Sequence, residues 1–209
     1  MNEVWFNEVW VFMISFAVAV FFLILSPGPG VLSAAGVGSA YGRSSGLSYV
    51  TGLWIGNNLV SLLVITGLAA LVLAVPYVRL ILTIASTGYL LYLALRIGFA
   101  GARIGFISFA KQPKMKDGIL LQLINPKAYA VNSALFSSFT FMADQYVTEV
   151  VIKLCLFNAI WIPLHIMWLE AGISLQRLSL SAQATRRINY AMAVSLAIVV
   201  ILSFASLFR

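Results

Sequence analysis

One basic residue lies inside an apolar part of the sequence, where its charge could bind a ligand or carry a proton. Lys127 follows Asn125-Pro126 and precedes the uncharged run 128–143. A lysine inside a bilayer costs about 2.5–3.5 kcal/mol on insertion scales, so it usually serves a pathway, an ion pair or an interface. Lys127 is therefore a candidate for binding a substrate carboxylate or for proton coupling. The alternative is a side chain that extends to the cytoplasmic surface, because Asp117 is close in sequence.

Two proline-containing stretches interrupt apolar segments. The first is Ser26-Pro27-Gly28-Pro29-Gly30, whose prolines remove two backbone donors and whose glycines disfavour a helix. The second is Asn125-Pro126-Lys127-Ala128. Broken helices persist in hydrocarbon only where protein or a wet cavity covers the freed backbone groups. Their half-helix ends could offer amides to a carboxylate and carbonyls to an ammonium, which suits a zwitterion such as an amino acid.

The candidate substrate-binding residues are those of the two breaks: Pro27, Gly28, Pro29, Gly30, Asn125, Pro126 and Lys127. The alternative is that the breaks are kinks that only shape helix packing, since proline is more frequent in membrane helices than in soluble ones.

Further polar side chains lie in apolar segments and are candidates for a transport pathway or for coupling. They are Asn57, Asn58, Gln122, Asn132, Asn158, His165 and Glu170. His165 is the only histidine, and an imidazole can change its charge near neutral pH. For the asparagines the alternative is hydrogen bonding between helices, and for His165 and Glu170 it is placement at the membrane interface.

The composition predicts an all-α integral membrane protein. Of the 209 residues 62% are hydrophobic and 9% are charged, whereas soluble domains carry about 25% charged residues. The net charge is +7, and the basic residues lie between hydrophobic segments. This placement indicates a role in membrane orientation and not a nucleic-acid partner. The single cysteine, Cys155, cannot form an intrachain disulfide. No zinc-protease motif, nucleophile elbow or phosphate loop is present, so the sequence predicts no enzyme, no metal and no cofactor.

Hydropathy predicts six spans within one transmembrane transporter domain over residues 1–209. The spans are about 9–25, 47–75, 77–98, 118–142, 147–169 and 188–208. Residues 31–41 could form the other part of a helix broken at Pro27. Residues 9–99 and 118–208 hold three spans each, and the first span of each half carries a break. We therefore expect two inverted three-helix repeats with the site between them, as in secondary transporters.

The basic residues predict the orientation. One set of loops holds nine of them, which are Arg43, Arg96, Arg103, Lys111, Lys114, Lys116, Arg177, Arg186 and Arg187. The other side holds Arg79, Lys153 and Arg209. The positive-inside rule places the first set in the cytoplasm, with a cytoplasmic loop at about 100–117 and both termini outside.

Glycines recur at four-residue spacing in and before the second span. They are Gly38, Gly42 and Gly46, and then Gly52 and Gly56. Small residues at this spacing let helices pack closely, so we expect packing roles for them.

Five motifs together resemble the LysE/RhtB family of amino-acid exporters over nearly the full chain. They are Ser26-Pro27-Gly28-Pro29, Gly42-Arg43-x2-Gly46, Gly52-Leu53-x2-Gly56, Thr87-Gly88-Tyr89-Leu90-Leu91-Tyr92-Leu93 and Gly118-Ile119-Leu120-Leu121-Gln122-Leu123-Ile124-Asn125-Pro126-Lys127-Ala128. The resemblance implies a multi-pass protein of the inner (plasma) membrane that exports amino acids or close derivatives, driven by the proton gradient. It carries the family site onto Pro27, Gly28, Pro29, Asn125, Pro126 and Lys127.

The fifth span departs from the family pattern. Many relatives carry an acid in its middle, where this chain has 158–163 without one, and the acid appears later as Glu170. The end of the span, with Trp168 and Ala171-Gly172, is more similar to the cysteine/O-acetylserine branch. Two alternatives remain. The protein could export an inorganic ion or another small metabolite, or it could be a membrane scaffold that transports nothing. The expected partners are a small-molecule substrate and the lipid bilayer, with a homo-oligomer left open.

Overall fold

The computed structural model describes residues 3–69, 74–75, 77, 84, 88, 91–92, 94–100, 106–107, 111–178 and 180–205. The regular elements in these ranges are helical, and no strand occurs in them. The helices are α1 (Glu3–Leu25), α2 (Pro29–Ile65), α3 (Met115–Leu123), α4 (Pro126–Ser138), a 3-10 turn (Ala143–Gln145), α5 (Tyr146–Arg177) and α6 (Ala182–Ala205). The all-helical class is therefore confirmed, and the arrangement of six spans as inverted repeats stays a prediction.

Several of these helices have the length or surface expected in a bilayer. Pro29–Ile65 and Tyr146–Leu175 are long and apolar enough to cross a membrane, and Val9–Leu25 is a shorter apolar helix. Large hydrophobic side chains on the outer faces of α1 and α6 are exposed, among them Phe22 and Ile201. An apolar exterior of this kind suits contact with lipid.

Helix α2 lies at the centre and packs along both α3 and α5. It is bent at Gly42, whose backbone has a φ of 77° and leaves the helical conformation. Residues 29–41 therefore form a separate first part, as expected for the continuation of a broken helix. The helix ends at Ile65, whereas we expected the span to continue to residue 75. It ends there because Gly67, just after its C-terminus, has a positive φ of 74°.

The glycine spacing has the packing role that we expected at most positions, but not at Gly42. A Cβ atom at Gly52 would overlap the Met115 carbonyl oxygen, and one at Gly56 would lie 2.7 Å from the Ile119 carbonyl oxygen. Nothing lies within 4 Å of a Cβ atom at Gly42. The packing interpretation is wrong there, because this glycine supplies a left-handed backbone conformation instead.

The remaining predicted spans differ from the helices at their ends. Helix α4 stops at Ser138, whereas α5 and α6 begin before the expected residues 147 and 188. Most of the third span, including Arg79, and much of the loop 100–117, including Arg103, lie outside the described residues. Arg209 lies outside them as well. At the end of the third span, Ile97 packs with Leu32 and Leu196, which joins it to α2 and α6.

Lys153, which the orientation prediction counted on the less basic side, is buried inside the protein. Its side chain is 2% exposed and lies 2.6 Å from the carboxylate of Glu149. Glu149 also accepts hydrogen bonds from the backbone amides of Phe141 and Met142. This buried ion pair fastens the α4–α5 connection to α5, so Lys153 is removed from the charges that predict orientation.

Candidate functional site

Both expected breaks are present, and each has the same local form. Helix α1 ends at Leu25 and α2 begins with Pro29 in its first turn, while α3 ends at Leu123 and α4 begins with Pro126. Proline is tolerated at a first helical position because the amide that it lacks would have no helical partner there. The structural counterpart of Pro126 is thus Pro29 and not Pro27.

Asn125 forms the N-cap of α4. Its side-chain oxygen accepts a hydrogen bond from the Lys127 amide at 3.1 Å, and its Nδ2 donates to Gln122 at 2.8 Å. These bonds satisfy one of the amides that a helix start leaves unpaired and fix the first turn of α4 on the end of α3. This turn sets the point at which the Lys127 side chain leaves α4.

Lys127 joins the two breaks. Its ammonium donates to the Ser26 carbonyl at 2.5 Å, to the Ser26 hydroxyl at 2.8 Å and to the Pro27 carbonyl at 3.4 Å. These acceptors follow the C-terminal end of α1, which carries the negative end of the helix dipole. The side chain therefore reaches from the second break to the first, and its contacts are not those of a lysine that extends to a surface.

A cavity of about 30 Å³ lies where the breaks meet. Its polar wall consists of Asn57, Gln122, Asn125, Lys127 and His165. The rest of the wall is Ile24, Gly28, Gly30, Val31, Ala128, Val131 and Trp161. A cavity of this size holds about one or two water molecules. An amino acid requires more room, so its entry requires the walls to move apart.

His165 is held by Trp161, one helical turn earlier on α5. The two rings stack with centroids 3.5 Å apart, and Nδ1 lies 3.0 Å from the Trp161 carbonyl oxygen. Since a carbonyl only accepts hydrogen bonds, Nδ1 carries the proton of this contact. The other nitrogen, Nε2, lies toward the first break, 3.4 Å from where a Cβ atom of Gly30 would be.

Asn57 belongs to a buried polar network between α2 and α4. Asn132 donates to the Asn57 side-chain oxygen at 3.3 Å and accepts from Ser61 at 2.6 Å. Asn57 is 2% exposed, and its Nδ2 has no hydrogen-bond acceptor among the described residues. Asn57 therefore presents an unsatisfied donor in the wall of the cavity, whereas Asn132 lies behind it.

Asn58 and Asn158 lie outside the cavity wall and pair with each other. Each amide donates to the other's oxygen at 3.0 Å, and Trp54 Nε1 also donates to Asn158 at 2.6 Å. These contacts tie α2 to α5 and have the form of interhelical hydrogen bonding.

Glu170 is also away from the cavity. Its carboxylate lies 2.7 Å from Arg43, in an ion pair whose side chains are 38% and 69% exposed. The pair links the part of α2 after its bend to the second half of α5. Among the described residues, no group of three or more His, Cys, Asp or Glu side chains could hold a metal ion.

Sequence reasoning did not single out Ser26 as a ligand, although its carbonyl and hydroxyl hold Lys127. The available signal was its position as the first residue of the Pro-Gly-Pro-Gly break, where a helix ends and its carbonyls lose their partners. Ser61 was also missed. A serine four residues after Asn57 lies on the same face of a helix, which was the signal there.

Comparison with known proteins adds to this geometry. Residues 21–208 match the family model described as LysE type translocator. The chain is 28% identical over 134 residues to a leucine efflux protein from Enterobacter sp., and 28% identical over 131 residues to a leucine efflux protein from Klebsiella pneumoniae subsp. pneumoniae. Each match covers 60% of this chain and 62% of the relative. No solved structure matches the chain.

Proposed function

The chain belongs to the LysE type translocator family, and on this basis we propose that it exports amino acids or close derivatives from the cytoplasm, driven by the proton gradient. Membership in a family of translocators agrees with the expectation that the chain is not an enzyme. The two relatives are named leucine efflux proteins, so leucine is the first substrate to test.

The observation that carries the proposal is the contact of Lys127 with Ser26. It brings two broken helices together at one cavity that has a basic side chain, amide groups and apolar walls. Ends of broken helices offer partial charges of both signs without the cost of further buried ions. A zwitterion needs both signs within a few ångströms, and this site supplies them.

The proposed architecture is one transmembrane domain over residues 1–209, with halves 9–99 and 118–208 inverted relative to each other. In this arrangement the site lies between the halves, where the two breaks meet. The basic loop at 100–117 faces the cytoplasm of the inner membrane and both termini face outward.

For proton coupling we propose His165. Its Nε2 is not used by the bond to Trp161, and the ring lines the same cavity as Lys127. A proton taken up there would add a second positive charge beside the ammonium, which favours separation of the walls. Binding of the substrate and of the proton would then act on one cavity.

The proposal is tested by efflux from proteoliposomes loaded with a panel of labelled amino acids, beginning with leucine. We expect gradient-dependent loss of one or a few of them. Pro27→Ala and Pro126→Ala variants, with membrane insertion checked, should slow the same efflux. If the folded protein transports none of these amino acids, the proposal of amino-acid export is wrong. Intact transport in both proline variants would indicate that the breaks serve helix packing alone.

A further inference from the structure

We propose that the Lys127 ammonium occupies the position that the ammonium of a neutral aliphatic amino acid takes when it binds. The incoming substrate displaces Lys127 from Ser26 and Pro27, and the released lysine pairs with the substrate carboxylate. This inference rests on the proposed export function and identifies the groups of the substrate that the site distinguishes.

The acceptors around Lys127 form a site for a primary ammonium. Two backbone carbonyls and one hydroxyl, all from Ser26 and Pro27, converge on one nitrogen at 2.5–3.4 Å. A lysine ammonium has three donor hydrogens and no acceptor. The α-ammonium of an amino acid has the same donors and charge, so it can use the same three acceptors.

A donor for the carboxylate is present in the same cavity. The Asn57 Nδ2 is buried and lacks an acceptor among the residues that the structure describes, although the Asn57 oxygen is bonded to Asn132. Leaving a buried amide hydrogen without a partner is costly, and a carboxylate oxygen would remove this cost. Asn57 and the displaced Lys127 would then hold the carboxylate together.

The apolar wall indicates the class of side chain. Ile24, Val31 and Val131 line the cavity and offer aliphatic contacts. No Asp or Glu is among the described residues that line it, so a cationic side chain would lack a partner of opposite charge. An aliphatic side chain gains from burial against these residues instead.

The exchange also accounts for the small volume of the cavity. The Lys127 side chain fills the space next to Gly28, where a Cβ atom would lie 2.6 Å from Lys127 Cδ. Moving the lysine frees this space and removes its hydrogen bonds between the two breaks. Because the substrate brings one positive and one negative charge, the net charge of the cavity does not change when it enters.

The test measures direct binding of three compounds to purified protein in detergent by titration calorimetry. The compounds are L-leucine, 3-methylbutylamine, which lacks the carboxylate, and 4-methylpentanoate, which lacks the ammonium. In the wild type we expect leucine to bind and both analogues to bind poorly, since the amine would leave Lys127 without a partner and the acid cannot displace it.

The Lys127→Met variant separates the interpretations. We expect this variant to bind the amine at least about tenfold more tightly than the wild type does, because the Ser26 and Pro27 acceptors are then no longer occupied by the lysine. If Lys127 only binds the carboxylate, the amine is unaffected and only leucine and the acid lose affinity. An amine affinity equal to that of the wild type in folded Lys127→Met protein overturns the inference.

A second variant keeps the test decisive if Lys127→Met does not fold. Lys127→Ala removes the side chain beyond Cβ and leaves the Ser26 and Pro27 acceptors without the lysine. It should therefore also improve binding of the amine, whereas an unchanged amine affinity would again overturn the inference. Lys116→Met, at an exposed position on α3, is the matched control.

These outcomes are separate from the outcome of the export experiment. Leucine that is exported and bound, with no gain for the amine in either variant, rejects the exchange and leaves export intact. Export of only charged or polar amino acids, without binding of leucine, rejects the aliphatic class. No transport of any amino acid rejects the proposed function itself.

Discussion

The buried ion pair of Glu149 and Lys153 gives a stability prediction with an order among its variants. Lys153 has the Glu149 carboxylate at 2.6 Å, and its other contacts are the Phe136 carbonyl at 3.4 Å and the Phe141 ring at 5.6 Å. Glu149→Gln would leave the ammonium buried without a counter-ion. Breaking such a pair from one side costs about 3–5 kcal/mol.

Removing the other partner should cost less. In Lys153→Met the carboxylate still accepts from the Phe141 and Met142 amides, at 2.8 and 2.5 Å. The double variant Glu149→Gln with Lys153→Met should be closest to the wild type, because it buries no charge and the glutamine oxygen can still accept from these amides. The expected order of destabilisation is therefore Glu149→Gln, then Lys153→Met, then the double variant.

The assay is thermal unfolding in detergent, followed by tryptophan fluorescence. Glu149→Gln should lower the midpoint by roughly 10 °C, since about 1 kcal/mol corresponds to a few degrees in a chain of this size. A double variant that is as unstable as Glu149→Gln would refute the reasoning, because the cost would then lie in packing and not in an isolated charge. A midpoint unchanged in all three variants would refute the buried pair itself.

Two further predictions concern helix packing and a surface ion pair, and both use the same unfolding assay. Gly172→Ala should destabilise the protein by about 1–3 kcal/mol, because its Cβ would overlap the Ala35 carbonyl and force α2 and α5 apart. Gly46→Ala should cost less, because its Cβ meets the side chain of Leu169, which can move. Equal losses of stability in the two variants would contradict this reasoning. Arg43→Ala should cost less than about 1 kcal/mol, since exposed ion pairs contribute little, and a larger loss would show that the pair is a structural lock between α2 and α5.

The breaks could be predicted from the sequence because proline and glycine act locally. A proline lacks a backbone amide hydrogen whatever its tertiary surroundings, so the interruptions after Leu25 and after Leu123 follow from residue type alone. At the first break, the sequence did not determine which of the two prolines begins the following helix. Pro27 and Pro29 both fit a first helical turn in sequence, and only the structure shows that Pro29 does so.

The contacts across the site could not be predicted from the sequence. An intramembrane lysine shows that a partner is needed, but not that Ser26 supplies it, since residues about a hundred positions apart meet only through tertiary packing. The polar residues of α2 show the same limit. Asn57 and Asn58 are adjacent and alike in type, yet one lines the cavity and the other pairs with Asn158. A rotation of about 100° along a helix separates these environments.

The Glu149–Lys153 pair was missed for a related reason. Residues four apart on a helix can pair, and this spacing was available in the sequence. Burial decides whether such a pair lies at the surface or in the interior, and hydropathy alone does not show it. The turn 139–145 folds back onto Glu149 and covers the pair.

The most direct test of the site is the rate of amino-acid efflux from proteoliposomes that contain Lys127→Ala. If Lys127 joins the two breaks into one substrate site, efflux should fall to the background of empty liposomes while the protein stays folded in the membrane. Lys111→Ala, an exposed lysine of the basic loop, should keep the wild-type rate. Efflux by Lys127→Ala within about twofold of the wild type, a barrier change of only about 0.4 kcal/mol, would contradict the role of Lys127 and with it the site.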